Sequence, residues 1–539
     1  MAETGKRLEL DVAIIGAGFS GMYMLHRIRD MLKLKTRVFE AGDGVGGTWY
    51  WNRYPGARCD SESYYYSYSF SPELEQEWNW SSRYPGQPEI LKYLNHVADR
   101  FELRPDIQFE TRIESVHFDE AGNTWDLTTN QGQRINARFV VTAVGCLSTR
   151  NTPDFPGLET FRGDWYHTGA WPHEGVDFTG KRVGLIGTGS TGIQATPVIA
   201  AEADHLSVFQ RTANFSVPAR NKPLSPEGAA DIKANYAEIR DRCRTSPGGF
   251  PFLPIERLAS DVSEQERQKI YSELWEVGGF RFMADSFSDL MENQQANDTA
   301  ANFIRNKIMQ TVKDPQVAEK LLPTDHPYGT KRPPIDTDYF ETYNRDNVTL
   351  VDVRESPIEA ITATGVRTGS AEYALDIIVF ATGFDAMTGP LLGMDIKGVE
   401  GQNLSSAWQA GPRSYLGLQV AGFPNLFTVT GPGSPSVLTN MPVAIEQHVE
   451  WISDCIAYMN EHGHTRIEAK PDAQEAWVVH VSETADETLF PKANSWYVGA
   501  NVPGKTRVFM PYVGGFDVYK ERCTEVAENG YEGFELASG

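Results

Sequence analysis

Two glycine-rich hexapeptides of the same form stand far apart in this chain. The first, GAGFSG, runs from Gly16 to Gly21, and the second, GTGSTG, runs from Gly187 to Gly192. Each follows a short apolar segment and precedes a helix-like segment. In a strand–turn–helix unit, the first glycine makes a tight turn, the second lets the backbone approach a pyrophosphate, and the third lets helix and strand pack closely. One motif is a weak indication because glycine triplets occur by chance, but two in this context predict a chain that holds two dinucleotides.

The residue roughly 20 positions after each motif indicates which nucleotide is bound. In the first unit this residue is Glu40, which ends the strand-like segment TRVFE. A carboxylate accepts hydrogen bonds from a free ribose 2′-hydroxyl, so the first unit is predicted to bind FAD or NAD. In the second unit the residue is Arg211, which ends the strand-like segment LSVFQR. A guanidinium binds a phosphate through two parallel hydrogen bonds, so the second unit is predicted to bind NADPH.

The motifs themselves supply the predicted backbone contacts to the two cofactors, because the amide groups at a helix N-terminus face the phosphates. The alternative is that either glycine cluster only forms a tight turn. The predicted contacts are Gly16, Gly18, Phe19, Ser20 and Gly21 in the first unit and Gly187, Thr188, Gly189, Ser190, Thr191 and Gly192 in the second.

The length and charge of the chain narrow the class of protein. A chain of 539 residues is long enough for roughly two to four domains. The formal net charge of −23 argues against nucleic acid or an anionic membrane surface as a partner. No apolar run approaches the roughly 18 residues of a transmembrane span, and the segment MAETGKRLELDV lacks the apolar core of a signal peptide. We therefore expect a cytoplasmic protein.

The cysteines indicate reduced thiols and no metal site. They form an odd set in which no two are close in sequence, a pattern typical of cytosolic proteins. The sequence lacks the paired redox cysteines that a flavin disulfide reductase needs after its first glycine motif, and it lacks a Cys/His set suited to zinc. The cysteines are Cys59, Cys146, Cys243, Cys455 and Cys523.

The order of the predicted elements indicates an α/β fold with two Rossmann-like dinucleotide-binding domains and a helical insertion in the NADP domain. Each unit has a late apolar strand that ends in small residues, ARFVVTAVG in the first and YALDIIVFATG in the second. Helix-start signals such as Ser225-Pro226 lie between them. The predicted ranges are 1–150 for the first part of the FAD domain, 151–222 for the first part of the NADP domain, 223–328 for the helical insertion, 329–383 for the second part of the NADP domain and 384–539 for the second part of the FAD domain.

The segment before the second glycine motif, FRGDWYHTGAWP, carries a family signature. It resembles the pattern FxGxxxHTxxWP of type I Baeyer–Villiger monooxygenases at every fixed position. Related flavin-containing monooxygenases and N-hydroxylases share both glycine motifs but usually carry Tyr or Phe where Trp171 stands. The resemblance extends over nearly the whole chain, through the blocks GGTWYWNRYPGARCD, GTKRPP, FATGFD and NSWYVGAN. The signature residues are Phe161, Gly163, His167, Thr168 and Trp171.

A second segment indicates a branch within the family. GPGSPSVLTNM resembles the same segment of phenylacetone and steroid monooxygenases, whereas cyclohexanone monooxygenases tend to be shorter here. The resemblance places Ser436, Val437 and Leu438 beside the substrate pocket. It implies aromatic, cyclic or steroid-like ketones as substrates, with sulfoxidation as a further reaction.

The resemblance implies a complete reaction. NADPH reduces FAD, the reduced flavin takes up dioxygen to give a C4a-peroxyflavin, and the peroxide attacks a ketone to yield an ester or lactone plus water. The family's catalytic arginine falls on Arg332 within GTKRPP, and its partner aspartate falls on Asp60. A guanidinium that is always charged stabilises the peroxide anion without giving up a proton. Without the resemblance, both residues would be interpreted as ordinary loop residues.

Further cofactor contacts follow from the resemblance. Lys331 and Thr212 join Arg211 as contacts of the NADPH 2′-phosphate. Trp496 matches a tryptophan on a mobile loop that touches the nicotinamide nucleotide, although a buried core tryptophan is the alternative. Most of the aromatic segment after the first motif is predicted to be core or packed loop, and Trp49 and Trp51 are the candidates for a wall around a flat ring system. The cofactor contacts predicted there are Gly47, Thr48 and Trp49.

Three residues of the family blocks have an indirect role by the same resemblance. His167, Trp171 and Asp385 are expected to couple domain rotation to cofactor binding, with plain packing as the alternative for His167. Arg332 and Trp171 favour the Baeyer–Villiger reaction over N- or S-oxidation by a flavin-containing monooxygenase, in which the peroxide is protonated. A third hypothesis is a nucleotide-sensing protein without catalysis, which would be colourless and would consume no oxygen with NADPH.

Overall fold

The structure is a computed structural model that describes residues 7–253 and 255–538. The first six residues and Gly539, at the outer ends of the predicted FAD-domain ranges, lie outside the described residues. In chain order the strands are β1 (Leu8–Ile15), β2 (Thr36–Phe39), β3 (Ile107–Gln108), β4 (Ile113–Asp119), β5 (Thr124–Thr129), β6 (Arg134–Thr142), β7 (Asp164–His167), β8 (Arg182–Ile186), β9 (His205–Gln210), β10 (Val217–Pro218), β11 (Ile335–Asp336), β12 (Val348–Asp352), β13 (Ile358–Thr362), β14 (Gly365–Thr368), β15 (Glu372–Ala374), β16 (Ile377–Phe380), β17 (Asp395–Lys397), β18 (Leu426–Thr428), β19 (Arg466–Ala469) and β20 (Phe534–Ala537).

Several helices begin at side chains that cap their free amide groups. The hydroxyl of Ser225 accepts a hydrogen bond from the Gly228 amide, and the hydroxyl of Ser263 accepts one from the Glu266 amide. In chain order the helices are α1 (Phe19–Leu25), α2 (Thr48–Trp51), α3 (Pro72–Glu77), α4 (Gln87–Arg100), α5 (Ser190–Glu202), α6 (Pro226–Ala234), α7 (Tyr236–Arg244), α8 (Glu264–Val277), α9 (Arg281–Ala284), α10 (Gln294–Thr311), α11 (Pro315–Lys320), α12 (Tyr339–Thr342), α13 (Gly389–Leu392), α14 (Leu404–Ala407), α15 (Met441–His462), α16 (Pro471–Asp486) and α17 (Phe516–Glu528).

The first sheet is built around β1, which is buried on both faces. Strands β3, β2, β1, β6 and β18 run parallel in this order, and β5, β4 and β17 extend the sheet from the first half of β6. Val12 and Ile14 pack in one apolar cluster with α1 and α15, whereas Ala13 and Ile15 pack in another with β4 and β5. A parallel strand covered on both faces is continuously apolar, which explains the segment that leads into the first glycine motif.

The second sheet has the same parallel arrangement. Strands β12, β9, β8, β16 and β7 lie in this order, with every neighbouring pair parallel. Val183 and Leu185 of β8 pack in one cluster with Ile193 of α5, and Ile186 packs in another on the opposite face. The carboxyl end of β8 leads into the second glycine motif, as the end of β1 leads into the first. The predicted α/β fold with two Rossmann-like domains is confirmed.

Helices α6 to α11 lie between β10 and β11 in the chain, within the range predicted for the helical insertion. Tyr271, Phe282 and Phe303 of these helices belong to the same apolar cluster as one face of the second sheet. The first sheet takes its strands from both ends of the chain, and the second takes them from its middle. The division of the chain into the predicted domain ranges itself stays a prediction.

Residues 7–253 and 255–538 contain neither a membrane-spanning helix nor a metal-binding group. No helix in these ranges is both long and apolar enough to cross a membrane. No group of His, Cys, Asp and Glu in the same ranges is arranged to hold a metal ion. The five cysteines are buried and carry free thiols.

Candidate active site

The two glycine turns have the same geometry at their first glycine. Gly16 has φ +102° and Gly187 has φ +113°, a region that favours glycine. A Cβ atom at Gly16 would lie 2.6 Å from the carbonyl oxygen of Ala143, and one at Gly187 would collide with the carbonyl oxygen of Ala381. These two alanines end the small-residue strands predicted for the two units, so each turn is pressed against the end of its neighbouring strand.

The third glycine of each motif packs a helix onto its turn. A Cβ atom at Gly21 would collide with the carbonyl oxygen of Gly16, and one at Gly192 would collide with that of Gly187. Any larger residue at either position would push α1 or α5 away from its strand. The close helix–strand packing that the motif predicts is therefore present in both units.

The middle glycines have different surroundings, with open space beside Gly189 and the backbone of Gly47 close to Gly18. A Cβ atom at Gly189 would meet no atom within 4 Å, and one at Gly18 would meet only the backbone of Gly47, at 3.3 Å. Gly47 itself has φ +54°, and its own Cβ would lie 2.8 Å from the Cα of Gly18. Both cradles therefore fit a pyrophosphate that lies against bare backbone. Thr48 is exposed next to the first cradle, and Trp49 is buried there, with its Nε1 donating to Tyr66 at 3.2 Å.

Glu40 is fixed beside the first turn and is only 4% exposed. Its two carboxylate oxygens accept hydrogen bonds from the Ala17 amide at 2.7 Å and the Gly42 amide at 2.8 Å. Burial raises the pKa of Glu40, and the two backbone donors oppose that effect. A carboxylate has room for about four hydrogen bonds, so two acceptor positions remain for a ribose hydroxyl.

Of the residues predicted for the 2′-phosphate, Arg211 and Thr212 lie at the carboxyl end of β9 in the second sheet, and Lys331 lies in the loop before β11. Arg211 follows β9 and is exposed, and the Thr212 carbonyl accepts a hydrogen bond from the Thr188 hydroxyl at 2.8 Å. Burial lowers the pKa of Lys331, the Asp325 carboxylate opposes that effect, and the positive charges of Arg211 and Arg354 add to it. The charges of Lys331 and Arg211 therefore interact, and their role as phosphate contacts stays a prediction. Arg354 is an addition that the sequence did not indicate.

Arg332 and Asp60 form a two-point ion pair between distant parts of the chain. Nε and Nη2 of Arg332 each donate to one oxygen of Asp60 at 2.8 Å. Nη1 of Arg332 donates to the Val437 carbonyl at 2.9 Å, and the guanidinium lies 5.2 Å from the centroid of the Phe280 ring. Burial by itself lowers the pKa of Arg332, but the Asp60 carboxylate outweighs it and raises that pKa above its usual value. The site therefore holds a permanent, oriented cation.

The ion pair remains within reach of a ligand. The Arg332 side chain is 27% exposed and that of Asp60 is 19% exposed, so neither is sealed in the core. Tyr497 lies beside Arg332 and is 2% exposed, and burial raises the pKa of its hydroxyl to about 12. This tyrosine adjoins the predicted Trp496, yet nothing in the sequence distinguishes it from the neighbouring aromatic residues.

The predicted substrate-pocket residues lie next to the ion pair, in one apolar cluster. The Ser436 hydroxyl is fully buried, 3.7 Å from the Met387 sulfur, and Val437 binds Arg332 through its carbonyl. Leu438 is partly buried against the same cluster. Members of this cluster, here called the pocket cluster, include Cys146, Met387, Val437, Phe490, Tyr497 and Met510, with Leu438, Trp496 and Phe509 at its margin.

The signature histidine, His167, makes hydrogen bonds within the segment that connects the two nucleotide-binding units. His167 ends β7, where its Nδ1 accepts from the Gly169 amide at 3.0 Å and its Nε2 lies 3.4 Å from the Thr382 hydroxyl. Burial lowers the pKa of His167, so the ring is neutral at pH 7. Thr382 follows β16, so the histidine joins two neighbouring strand ends. This geometry suits a role in positioning rather than in proton transfer.

The other signature residues have packing positions. Trp171 is buried against Tyr166 and Phe178 in the cluster under the second sheet. Thr168 is buried, and its hydroxyl has no partner among the described residues. A Cβ atom at Gly163 would collide with the carbonyl oxygen of Asp376, and Phe161 packs on the opposite face of the sheet.

Asp385 binds a loop of the C-terminal part of the chain to the segment that connects the two nucleotide-binding units. Lys505 donates to Asp385 at 2.5 Å and to the Ala386 carbonyl at 2.8 Å. Asn501 donates to the Phe384 carbonyl at 2.7 Å. The same loop carries Trp496, which is partly buried with its ring centroid 4.3 Å from that of Tyr497. The sequence predicted Asp385 and Trp496 separately, but not the lysine and asparagine that join their segments.

Comparisons with known proteins agree with this geometry. The family model of flavin-binding monooxygenase-like proteins matches residues 9–218. The chain is 46% identical to a Baeyer–Villiger monooxygenase of Pseudooceanicola batsensis, over 97% of this chain and 95% of the relative. It is 47% identical to a phenazine N-monooxygenase of Lysobacter antibioticus, over 99% and 98% of the two chains. It also matches the solved structure of an oxidized steroid monooxygenase bound to NADP, with TM-score 0.94, 55% identity and coverage of 98% and 100%.

Proposed function

Because the chain belongs to the Baeyer–Villiger monooxygenases, we propose that it inserts one oxygen atom of O2 into aromatic, cyclic or steroid-like ketones. The family predicted from the signature before the second glycine motif is confirmed. The protein is a flavoprotein monooxygenase that binds FAD and uses NADPH, as the two glycine turns and their different ribose residues predict. The observation that carries the proposal is the Arg332–Asp60 ion pair, which lies at the edge of the apolar pocket cluster.

The proposed reaction consumes one ketone, one O2, one NADPH and one proton, and it yields an ester or lactone, NADP+ and water. Bound FAD supplies the chemistry of hydride acceptance and oxygen activation. Gly16, Gly18 and Gly21 would hold its pyrophosphate against bare backbone, and Glu40 would hold its ribose. The second turn and Arg211 would hold NADPH in the same way. The chain itself contributes orientation, charge and a pocket from which water is excluded.

Arg332 has the central role in this proposal. When an oxygen nucleophile adds to the ketone, negative charge develops on the carbonyl oxygen, and a fixed guanidinium stabilises that charge. The guanidinium keeps its proton at working pH, so it does not neutralise an anionic nucleophile. Asp60 and the Val437 carbonyl together occupy three of its nitrogens and fix its plane. Asp60 is therefore proposed as the residue that positions Arg332.

The pocket cluster supports the proposed substrate class. Its side chains are apolar and include flexible methionines, which adapt to bulky hydrophobic molecules. A ketone of low polarity would bury its carbon skeleton there and point its carbonyl toward Arg332. Steroid-like ketones are supported by the high identity to the steroid monooxygenase, and sulfoxidation of apolar thioethers is proposed as a side reaction.

A panel of ketones tests the substrate class. The panel would contain a cyclic ketone, an aryl-substituted acetone and a 20-keto steroid, each with NADPH consumption and product measured in parallel. We expect at least one to give an ester or lactone in near one-to-one ratio with NADPH. If NADPH consumption with every member ends only in hydrogen peroxide, the proposed substrate class is wrong.

N-oxidation is a second candidate function, supported by the relative that oxidises phenazine. Oxygen transfer to a nitrogen lone pair needs an electrophilic oxygen, and it develops no negative charge on a substrate carbonyl. An assay with phenazine and with a ketone on the same Arg332→Ala protein separates the two. Loss of ester with retained N-oxide would assign Arg332 to the ketone reaction alone.

Arg211→Ala should raise the Michaelis constant for NADPH by about tenfold and change that for NADH far less. The reason is that the exposed guanidinium contacts the 2′-phosphate, which NADH lacks, and a charged hydrogen bond of this kind is worth about 1.5–3 kcal/mol. Steady-state kinetics with both nucleotides measure the two constants. An equal loss with NADPH and NADH would contradict the proposed phosphate contact.

We also propose that the enzyme works in the cytoplasm with small molecules as its only substrates. The five free, buried cysteines fit a reducing compartment. The strongly acidic net charge of −23 disfavours nucleic acid as a partner. Fractionation of the native host, followed by detection of the chain, would test the location.

A further inference from the structure

We propose that Arg354 is a third cation of the NADPH 2′-phosphate site and that Asp325 is a built-in counter-ion that weakens this site. The inference rests on the proposed NADPH function and deepens it, because it concerns which charges select the phosphorylated nucleotide. Neither residue belongs to a motif or family block in the sequence. Arg354 comes to the site through the pairing of β12 with β9, and Asp325 comes to it from the loop between α11 and β11.

The strand arrangement brings Arg354 next to Arg211. Strands β9 and β12 are parallel neighbours, with Gln210 paired to Asp352, and the Val353 amide donates to the Gln210 carbonyl at 2.9 Å. Arg211 leaves β9 immediately after Gln210, and Arg354 leaves β12 two residues after Asp352. The two arginines therefore emerge side by side at the carboxyl edge of the sheet, where ligands bind in doubly wound folds.

The electrostatic coupling at this edge agrees with the strand geometry. The charges of Arg211 and Arg354 both lower the pKa of Lys331, after the larger effect of burial. The pKa of Asp325 is lowered mainly by its hydrogen bond to His326 and also by Lys331 and Arg354. The charge of Arg354 therefore acts on both Lys331 and Asp325, in agreement with the strand pairing that places Arg354 at this edge. An anion bound among the three cations would relieve their mutual repulsion.

A count of charges shows why the third cation matters. Arg211 and Lys331 share this edge with two carboxylates: Asp325, whose charge raises the pKa of Lys331, and Asp352, which pairs with Gln210 across the strands and has its Oδ1 4.0 Å from Nε of Arg354. These four charges cancel, and burial lowers the pKa of His326, which leaves that ring without charge. A phosphate monoester carries about −1.5 to −2 charges at pH 7, so a neutral site suits it poorly. Arg354 gives the site its net positive charge.

Arg354 and Asp325 can be substituted without disturbing the core, because both side chains are exposed. The side chain of Arg354 is 44% exposed, and that of Asp325 is 40% exposed, so neither substitution removes a core residue. Arg367 is a matched control, because it is an exposed arginine of the same domain that faces a carboxylate, Glu359, at 3.6 Å. Its strand, β14, belongs to a separate antiparallel sheet.

The contribution of the 2′-phosphate to binding is measured without turnover by calorimetry on the FAD-loaded protein. The probe is adenosine 2′,5′-bisphosphate, and the comparison ligand that lacks the 2′-phosphate is adenosine 5′-monophosphate. We expect Arg354→Gln to weaken binding of the bisphosphate about tenfold, with a shallower salt dependence, and to change binding of the monophosphate less than twofold. Asp325→Asn should tighten binding of the bisphosphate about threefold. Arg367→Gln should leave both affinities within twofold of the parent protein.

The outcomes separate this inference from the proposed function. If the parent protein prefers the bisphosphate and Arg354→Gln keeps that preference unchanged, the third-cation role is wrong while the NADPH site stands. If Asp325→Asn weakens the bisphosphate, the counter-ion role is wrong. If the parent protein does not distinguish the two probes, the NADPH assignment fails, and the inference fails with it.

Discussion

The Arg332→Ala protein should form no measurable ester or lactone while it keeps its FAD and still oxidises NADPH. Arg332 is the fixed cation at the edge of the pocket cluster, with three of its nitrogens engaged by Asp60 and the Val437 carbonyl. Removal of one fixed donor to a developing oxyanion costs about 10²–10³ in turnover. We therefore expect the rate of ester or lactone formation to fall at least about 100-fold, and the consumed oxygen to be released as hydrogen peroxide. Product, peroxide and NADPH are measured in the same reaction.

Arg182→Ala provides the matched control for this prediction. Arg182 makes a two-point ion pair with Asp376, as Arg332 does with Asp60, but it lies on the exposed start of β8. Surface pairs of this kind contribute about 0–1 kcal/mol to stability, so the control should keep full activity. Flavin absorbance confirms that both variants are loaded. Normal lactone formation by Arg332→Ala would remove Arg332 from the reaction.

Gly21→Ala should give a protein that is purified without bound FAD. A Cβ atom at this position collides with the carbonyl oxygen of Gly16, which is backbone and cannot swing away. The helix α1 must then move from β1, and the amide groups of the first turn lose their alignment with the pyrophosphate. We expect the flavin absorbance per protein to fall by at least about tenfold and the melting temperature to fall with it.

Gly228→Ala is the control, because it makes the same glycine-to-alanine change as Gly21→Ala at a position away from the first turn. Gly228 lies in α6, and a Cβ atom there would lie 3.4 Å from the Ser225 hydroxyl, which is ordinary contact. Gly228 stands in the first turn of α6 and has no left-handed φ, so alanine there forces no shift of backbone atoms. The control should therefore keep its FAD and its melting temperature. Full flavin content in Gly21→Ala would show that the first turn does not hold the cofactor as proposed.

The fold and the cofactor turns were predictable because their signals are local. A glycine at φ +102° followed by two more glycines at fixed spacing leaves few other backbone structures, and Glu40 and Arg211 follow at the expected distance. The placement of Arg332 and Asp60 together came from the family resemblance alone. Nothing in their own neighbourhoods in the sequence indicates that they form an ion pair.

The contacts that the sequence did not predict are all made between distant segments. Lys505 reaches Asp385 across two peptide segments that have no shared pattern, and Phe280 reaches Arg332 from a loop between α8 and α9. Arg354 comes next to Arg211 only because β12 pairs with β9. Such pairs depend on the order of strands in the sheet, which a single sequence does not reveal. The only signal for Arg354 in the sequence is a second positive charge after a strand. It indicates a shared site only when the strand is known to lie next to β9.

Insertion of oxygen next to a ketone carbonyl, with NADPH and O2 as co-substrates, is best tested by turnover of a cyclic ketone under ¹⁸O2. The product is analysed by mass spectrometry, and the NADPH consumed is titrated. We expect a lactone that carries one ¹⁸O in its ring oxygen, formed in near one-to-one ratio with NADPH consumed. NADPH consumption that yields only labelled hydrogen peroxide, with the ketone recovered unchanged across the whole panel, would contradict it.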